Sequence, residues 1–517
     1  MKAYALSEPV VVVIGSGAGG GTVGYDLARE GIDVVCLEAG PRLTLRDVVN
    51  DDAEMFAKLS WLDPRTGSGG VLPDQFPAWI CKTVGGTTMH WAACALRFQE
   101  HEWKPRSTYG AIDGARLIDW PVDANAMQPW YRRAEASMGV GGRGDMPPLP
   151  GNSNYKVLAY GARKLGYTAV STGHMAINSR PFDGRPGCQQ IGFCSSGCAI
   201  GAKWSTLYTS IPKAEASGHF ELRDQATVVR IEHNDAGKVD AVVYRDAEGR
   251  LQRQRARAVC LAANSIETAR LLLLSQTARY PDGLANSAGN VGRHYMPHTT
   301  GSVFGLMPGE VNFHRGTQMA GLIGDQGRHD PIRGFAGGYL LETLSGSLPL
   351  MATSLSPGGW GRDYAKALER FQYMAGQWIC GENLPVASNA ITLNDKVRDA
   401  GDDPVANVHF EYHENDKAML SHAKQQGRLI YEAAGAKQVF TDPAFPATHN
   451  MGTCRQSERP QDGVCNGYGQ SHDIPNLFIS DGSQFSSSAA ENPTLTIVAL
   501  AMRQAAYIRD QLAGKAL

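Results

Sequence analysis

The stretch VVVVIGSGAGGGTVGYDLARE, residues 10–30, decides the fold of this chain. Its unbroken apolar run, which ends at Ile14, is typical of a buried parallel strand, and the apolar spacing after the glycines predicts a helix. Between the two, Gly15, Gly17 and Gly20 form a GxGxxG pattern. Without a Cβ, the first glycine allows a tight turn, the second lets backbone amides approach a pyrophosphate, and the third lets helix and strand pack closely.

A carboxylate follows where such a site needs one. Residues 33–37 predict a second buried strand, and Glu38 ends it, about 20 residues beyond the first glycine, where an acceptor for a ribose 2′-OH is expected. A glutamate there suits FAD or NAD rather than NADP. The alternative is a glycine-rich structural turn, since 59 glycines in 517 residues produce GxGxxG by chance. The order strand, turn, helix, strand, acid favours the dinucleotide site.

Length and composition exclude several classes of protein. A chain of 517 residues predicts two joined domains, and a net charge of −2 gives no electrostatic reason to expect nucleic acid or an anionic membrane as partner. The sequence contains no run of 18 or more apolar residues, so no membrane span is predicted. The N-terminal MKAYALSEP has neither an apolar signal core nor a twin-arginine pair, so we expect no export signal in this chain. Export with a signal-bearing partner stays open.

Three of the ten cysteines lie close together, at Cys188, Cys194 and Cys198. Thiolates so close in sequence can converge on one metal centre. Their spacing lacks the CxxC pairs and neighbouring histidines of the usual zinc sites. The alternatives are a disulfide with one free thiol, or a structural loop.

Periodicity elsewhere predicts alternating helices and strands. Helices are predicted over 124–138, 203–217, 269–275, 417–434 and 493–512, and strands over 222–231, 239–245, 257–263 and 476–480. The strand–turn–helix unit at 257–275 predicts a second part of the dinucleotide-binding domain, and the chain therefore belongs to the α/β class.

Several separated blocks, in this order, resemble the glucose–methanol–choline (GMC) oxidoreductase family over nearly the whole length. Besides the fingerprint with Glu38, they are VGGTT at 84–88, LAANSIETARLLL at 261–273, NSAGNVGRHYMPH at 286–298, HNMGTCR at 449–455, FISDGSQF at 478–485 and NPTLTIVALAMR at 492–503. Within the family the chain looks most like bacterial FAD-dependent sugar dehydrogenase subunits that oxidise glucose, fructose or glycosides. Pyranose and glycoside oxidases are a close second resemblance.

The resemblance implies a Rossmann-like FAD-binding domain, of the kind shared with p-hydroxybenzoate hydroxylase, and an interleaved α+β substrate domain. We expect the discontinuous FAD domain at 1–130, 215–300 and 440–517. Residues 131–214 are predicted to be a linking helical excursion that carries the cysteine cluster, and residues 301–439 the substrate domain.

The resemblance also implies the chemistry. In this family a hydroxyl proton is removed while hydride passes from the same carbon to flavin N5. His449, in HNMGTC, matches the family's catalytic histidine, and histidine has the near-neutral pKa that a general base needs. Asn492 matches the second catalytic position, where it can orient the hydroxyl without acting as a base. The alternative for His449 is a hydrogen-bonded core histidine.

The cofactor contacts implied by the resemblance follow the FAD molecule from end to end. The ADP half is expected at Gly15, Gly17, Gly20 and Glu38, the adenine at Val228 and Asn264, the isoalloxazine ring at Thr87, His90 and Trp91, and the ribityl chain with pyrophosphate at Asp481 and Gly482. His90 matches a position that carries a covalent flavin link in some relatives.

In the sugar dehydrogenase subunits, the cysteines that match Cys188, Cys194 and Cys198 hold a [3Fe–4S] cluster, which relays electrons to a cytochrome subunit. Those relatives have a further cysteine where this chain has Gln189. We therefore predict a dehydrogenase of a sugar or glycoside hydroxyl, at C1 or C3, with FAD and a [3Fe–4S] cluster.

The predicted partners are a small subunit and a cytochrome c-type acceptor, with no nucleic acid and no membrane span of this chain's own. The predicted location is the periplasm or a membrane surface, reached through a signal-bearing partner, with the cytoplasm as the alternative. Alternative functions are an oxygen-reducing pyranose or glycoside oxidase without a cluster, a dehydrogenase of a non-sugar alcohol, and a flavin-bearing binding subunit without turnover.

Overall fold

The computed structural model describes residues 3–348, 360–441, 446–515 and 517. Parts of two predicted segments, namely 349–359 of the substrate domain and 1–2, 442–445 and 516 of the FAD domain, lie outside the described residues. The strands are β1 Val10–Ile14, β2 Val34–Leu37, β3 Thr66–Ser68, β4 Val170–Ser171, β5 Phe220–Arg223, β6 Thr227–His233, β7 Val239–Arg245, β8 Leu251–Leu261, β9 Thr299–Leu306, β10 Leu322–Ile323, β11 Tyr339–Thr343, β12 Met374–Gly381, β13 Ala390–Arg398, β14 Pro404–His409, β15 Gln438–Thr441 and β16 Leu477–Ile479.

The α-helices fall between and after these strands. They are α1 Ala18–Ala28, α2 Asp52–Leu59, α3 Pro105–Tyr109, α4 Ala124–Met138, α5 Ser153–Lys164, α6 Ser210–Ala216, α7 Asn264–Leu274, α8 Arg362–Glu369, α9 Glu414–Ala433 and α10 Thr494–Ala513. No helix within the described ranges is both long and apolar enough to cross a bilayer.

The first sheet carries the dinucleotide fingerprint. Its strand order is β5-β2-β1-β8-β7-β6, and β16 also pairs with β8. The pairs of β1 with β2, β1 with β8, β2 with β5 and β8 with β16 are parallel, whereas β6, β7 and the first half of β8 form an antiparallel extension. Every residue of β1 is buried, as expected for a parallel strand covered on both faces.

The second sheet, β15-β9-β12-β11-β10-β4, joins strands from three of the predicted segments. The paired strands in it for which a register is defined run antiparallel, and α9 lies against β9 and β12. A third, small sheet has the order β13-β14-β3, and its residues Ile391 and Val408 share a hydrophobic core with β1 and β8. Each sheet thus combines strands from distant parts of the chain, and this interleaving agrees with the predicted fold class.

The predicted helix over 203–217 is wrong in its first half, because only α6 at its end is helical. The backbone of the preceding residues is used in tertiary pairing instead: Lys203 pairs with Ile177, and the Trp204 amide donates to Ala176 O at 2.9 Å. Tertiary hydrogen bonds therefore override the local helical pattern. The predicted strand over 222–231 is in fact two strands, β5 and β6, with a break between them.

Candidate active site

One long cavity begins at the carboxyl ends of β1, β2 and β8 and continues to the second sheet. This is the edge at which parallel α/β sheets bind nucleotides. The predicted site residues that line it are Gly15, Gly17, Glu38, Thr87, His90, Trp91, Val228, Asn264, His449, Asp481, Gly482 and Asn492. Gly20 and the three clustered cysteines are not part of the lining, although Ser195, which follows the second of those cysteines, is.

The glycine-rich turn has the geometry that an anionic ligand needs. Gly15 has φ +93°, and a Cβ on Gly20 would lie 1.9 Å from Gly15 O, so the third glycine serves packing rather than ligand contact. Helix α1 begins after Gly17 without a side-chain cap, which leaves its N-terminal amides for a ligand such as a pyrophosphate. The prediction did not single out Gly19, whose Cβ would lie 1.6 Å from Ser480 O. No motif indicates this contact, since Ser480 is distant in sequence.

Glu38 ties the turn to the next loop. Its carboxylate accepts from the Ser16 hydroxyl at 2.7 Å and the Ser16 and Gly40 amides at 3.0 and 2.9 Å, while the Ser16 hydroxyl accepts from the Gly85 amide at 2.9 Å. Burial raises the pKa of Glu38, and these hydrogen bonds oppose that rise. The carboxylate lines the cavity, in keeping with an acceptor for a ribose hydroxyl.

The loop at 84–91 is shaped by two left-handed glycines, Gly85 at φ +95° and Gly86 at φ +51°. His90, which follows, is buried with its ring stacked on Trp79 at a centroid distance of 4.5 Å. Burial lowers the pKa of His90 to about 3, so the ring is neutral. Its Nε2 has no hydrogen-bond partner among the described residues, which fits a side chain whose partner is a bound cofactor.

His449 lies between the cavity and a second histidine. Its Nδ1 is 2.9 Å from His298 Nδ1 and 3.9 Å from Cys380 Sγ. Burial, followed by His298 and His90, lowers the pKa of His449 well below its usual range. The ring is therefore neutral near pH 7 and can accept a proton.

The side-chain amide of Asn492 is hydrogen-bonded to the carboxyl group of Glu342. Its Nδ2 donates to Glu342 Oε2 at 3.4 Å, and its Oδ1 has no partner within the described chain. Burial raises the pKa of Glu342 to about 7. Because Asn492 lines the cavity, its free Oδ1 can accept a hydrogen bond from a hydroxyl there.

Sequence analysis missed His298, Cys380 and Glu342. His298 lies inside the block at 286–298, but the pattern gave it no role, and the other two belong to strands β12 and β11 of the second sheet. One ligand atom from each of His298, Cys380 and His449, namely a ring nitrogen or the thiol sulfur, lies within 4.8 Å of the others. The 2.9 Å between the two Nδ1 atoms is also a hydrogen-bond length.

Cys188, Cys194 and Cys198 are free thiols, so the structure contains no disulfide in this loop. The loop turns tightly through four left-handed residues, namely Gln190, Gly192, Gly197 and Cys198. The Gln190 amide donates to Cys188 Sγ at 3.4 Å. Burial is the main cause that raises the pKa of the Cys188 thiol, and it raises the pKa of Cys194 to about 12. The neighbouring thiol of Cys198 contributes to both pKa shifts.

A buried lysine joins this loop to the cavity wall. Lys203 Nζ donates to the carbonyl oxygens of Met89, Trp91 and Cys194 at 2.7, 2.8 and 2.6 Å. Burial lowers its pKa to about 8, and the thiols of Cys198 and Cys194 oppose that shift. The cysteine loop and the loop of His90 and Trp91 are thus held together by one ammonium group.

Comparison with known proteins identifies the family of this chain. Residues 59–300 match the N-terminal domain of GMC oxidoreductases and residues 385–501 the C-terminal domain. The chain is 32% identical to 2-methyl-1,2-propanediol dehydrogenase of Mycolicibacterium austroafricanum, over 96% of this chain and 94% of that protein. It is 30% identical to the fructose dehydrogenase large subunit of Gluconobacter japonicus, over 97% of this chain and 98% of that protein. A variant formate oxidase of Aspergillus oryzae has the same fold, with a TM-score of 0.69, 14% identity and coverage of 98% and 99%.

The chain belongs to the GMC oxidoreductase family. It is an FAD-dependent enzyme that oxidises the CH–OH group of an alcohol or a sugar. The predicted family, fold class and type of reaction are confirmed, whereas the roles of the individual site residues stay predictions.

Proposed function

We propose that this enzyme oxidises a sugar or glycoside hydroxyl, at C1 or C3, with His449 as the base. The observation that carries the proposal is that a neutral histidine, His449, and an amide whose oxygen has no partner among the described residues, Asn492, line the same cavity, which begins at the glycine turn. Bound FAD supplies the hydride acceptor, flavin N5. The uncapped N-terminus of α1, the Glu38 carboxylate and the unpaired His90 Nε2 fit the two ends of that cofactor.

Asn492 and His449 have separate roles in this reaction. Asn492 Oδ1 orients the substrate hydroxyl, and His449 accepts its proton at the ring nitrogen that faces the cavity. The low pKa of His449 keeps the ring unprotonated until substrate binds. The stacked rings of His90 and Trp79 form part of the wall of this cavity.

We further propose a [3Fe–4S] cluster on Cys188, Cys194 and Cys198 that passes electrons onward. What supports this proposal is the chemistry of the loop, which holds three free thiols, one of which accepts an amide hydrogen bond as cluster sulfurs commonly do. Gln189 is exposed, and three thiolates suffice for three irons. The Lys203 bridge supports a short route from the cavity to this loop.

The proposed acceptor is a cytochrome c-type partner, together with a small subunit. The fructose dehydrogenase relative is by its name a large subunit, which supports an assembly of this kind. We propose that such a partner brings the enzyme to the periplasm or to a membrane surface.

A spectrum tests this function first. Purified protein is assayed anaerobically for iron and labile sulfide, with absorption and electron paramagnetic resonance spectra of the same sample. We expect flavin bands bleached by sugar, iron and sulfide near a 3:4 ratio, and a signal from the oxidised cluster. Cys260→Ala, which changes a buried free cysteine of β8, is the control variant that keeps the cluster. Flavin without iron contradicts the relay, and a flavin that no sugar bleaches contradicts the substrate class.

A second candidate is an enzyme for a small non-sugar alcohol. The 32% identity to a propanediol dehydrogenase favours it. A panel of diols, polyols and glycosides, with flavin bleaching as the readout, separates the two candidates. Oxygen consumption on the same panel tests the oxygen-reducing oxidase, which needs no cluster.

A further inference from the structure

We propose that His298, assisted by the thiol of Cys380, is a positioning residue that fixes His449 in the tautomer with a bare Nε2. The inference rests on the proposed function, because it concerns the base assigned there. It adds a reason why that base presents a lone pair, rather than an N–H, to the substrate. No feature of the sequence alone assigns either residue such a role.

A backbone carbonyl fixes the position of the proton on the His298 ring. His298 Nε2 lies 3.2 Å from Ser488 O, and a carbonyl oxygen only accepts hydrogen bonds. The proton of the neutral His298 ring is therefore on Nε2. Burial lowers the pKa of His298 to about 4, so the ring is neutral at pH 7 and its Nδ1 is bare.

The contact between His298 and His449 fixes the tautomer of His449. The Nδ1 atoms of His298 and His449 are 2.9 Å apart, a distance at which two bare nitrogens would repel each other. The hydrogen between them must come from His449, since His298 Nδ1 has none. His449 is neutral as well, so its second nitrogen, Nε2, is bare and free to accept a proton.

Proton transfer strengthens the same contact. When the O–H bond of the substrate breaks and an N–H bond forms at Nε2, His449 becomes an imidazolium. Its Nδ1–H then donates a charge-assisted hydrogen bond to a neutral acceptor, which is stronger than the bond in the resting state. His298 thus serves as the orienting group of a base, without a charge of its own.

Cys380 completes the group from β12. Its Sγ is 3.0 Å from His298 Nδ1, and burial, with Glu342, Glu491 and Glu102 adding to it, raises the pKa of the thiol well above its usual range. The thiol stays protonated and therefore carries no charge at its contact with the His298 ring, whose single Nδ1 lone pair accepts the His449 N–H. Besides His298 and Cys380, the titratable group that acts on His449 is His90.

The backbone conformation of His298 also supports a positioning role. His298 has φ +68°, a left-handed conformation that costs free energy in a residue with a side chain. The two histidine rings meet edge to face, at a centroid distance of 5.0 Å and an interplanar angle of 88°. The left-handed backbone and the Ser488 bond are thus found together at the ring that touches the base.

Two variants and a matched control test the inference. His298→Leu removes both hydrogen bonds, whereas the amide of His298→Gln keeps an acceptor for the His449 N–H and a donor for Ser488 O. His294→Leu is the control, because His294 is also buried and left-handed, with φ +64°, but its Nδ1 has no partner among the described residues. Flavin content and melting temperature are measured for each holoenzyme, followed by anaerobic flavin reduction from pH 5 to 9.

We expect His298→Leu to slow flavin reduction at least tenfold at saturating substrate and to change its pH profile. His298→Gln should recover most of the rate, and His294→Leu should reduce flavin with the wild-type profile. An unchanged rate and profile in His298→Leu overturns the inference while the base assignment stands. Normal flavin reduction in His449→Ala overturns the proposed function itself, and the inference with it.

Discussion

The ammonium group of Lys203 lies 2.6 Å from the carbonyl oxygen of Cys194, within hydrophobic surroundings that leave the lysine no exposed surface. Its other two donors hold the loop that lines the cavity. A buried cation with three carbonyl partners is fully satisfied, but each of those carbonyls loses its partner if the cation is removed. The relationship between the cysteine loop and the cavity therefore depends on one side chain.

Replacing Lys203 by methionine should lower the free energy of unfolding by about 3 kcal/mol, because three carbonyl oxygens are left without a donor. Denaturant unfolding of the holoenzyme measures the change. Lys213→Met is the control: this exposed lysine pairs only with Asp183, and such surface pairs contribute about 1 kcal/mol or less. Equal stability of the two variants would contradict the bridging role.

Removing the base should separate chemistry from cofactor binding. We expect His449→Ala to slow anaerobic flavin reduction by about a hundredfold or more, since positioned general bases contribute that much, while FAD stays bound. Stopped-flow absorption at the flavin band measures the rate, and the flavin-to-protein ratio checks binding. A rate close to that of the wild type removes His449 from the role of base.

Cys194→Ser should affect only the second half of the catalytic cycle. The thiol lies outside the cavity lining, so flavin reduction by substrate should keep its rate, whereas transfer to an artificial cytochrome acceptor slows at least tenfold and the iron content falls. The two half-reactions are measured separately on one preparation. If both proceed as in the wild type with less iron, electrons do not pass through this loop.

A Cβ at Gly19 has no room. Its position would lie 1.6 Å from Ser480 O, a backbone atom, so Gly19→Ala must displace α1 from β16. We expect a loss of at least about 2 kcal/mol of stability and weaker FAD retention. Gly309→Ala is the control, since a Cβ there meets nothing within 4 Å, and it should change stability by about 0.5 kcal/mol or less. Full FAD occupancy in Gly19→Ala would contradict the close packing of helix and strand.

Stability should fall as pH rises from about 6.5 to 8 and level off above pH 8. Burial raises the pKa of Glu382 to about 8 and that of Asp416 to about 7, so the folded state holds protons that the unfolded chain has already released. Each group therefore lowers stability from its ordinary pKa up to the raised value, above which it is ionised in both states and has no further effect. The buried histidines, whose pKa values are lowered, act below pH 6.5 instead.

The matched variant is Glu382→Gln, which keeps an oxygen acceptor for the Tyr109 hydroxyl that now donates to Glu382 at 2.9 Å. Its melting temperature should decline less over this pH range than that of the wild type. An equal decline in both proteins would show that Glu382 does not carry the effect.

The sequence by itself determined the parts that are local and periodic. The valine run, the glycine spacing and Glu38 predicted β1, the turn and α1 correctly, because a strand, a tight turn and a helix each depend on neighbouring residues. The blocks around His449 and Asn492 were recognised for the same reason, since each is a short continuous stretch. The ranges of α4 and α10 were predicted within a residue at each end, because their apolar spacing continues over four turns or more.

Only the tertiary structure decided which groups meet. Lys203 was predicted to lie in a helix, and its backbone pairs with Ile177 instead, because a buried ammonium requires three carbonyl partners that local sequence does not supply. His298 and Cys380 are 82 positions apart in the chain, yet their ring nitrogen and sulfur lie 3.0 Å apart. Contacts between distant segments depend on how whole sheets pack, and no short pattern records them. The sequence thus determined the dinucleotide fold and predicted His449 as the base, whereas the packing of the two sheets decided which groups surround His449.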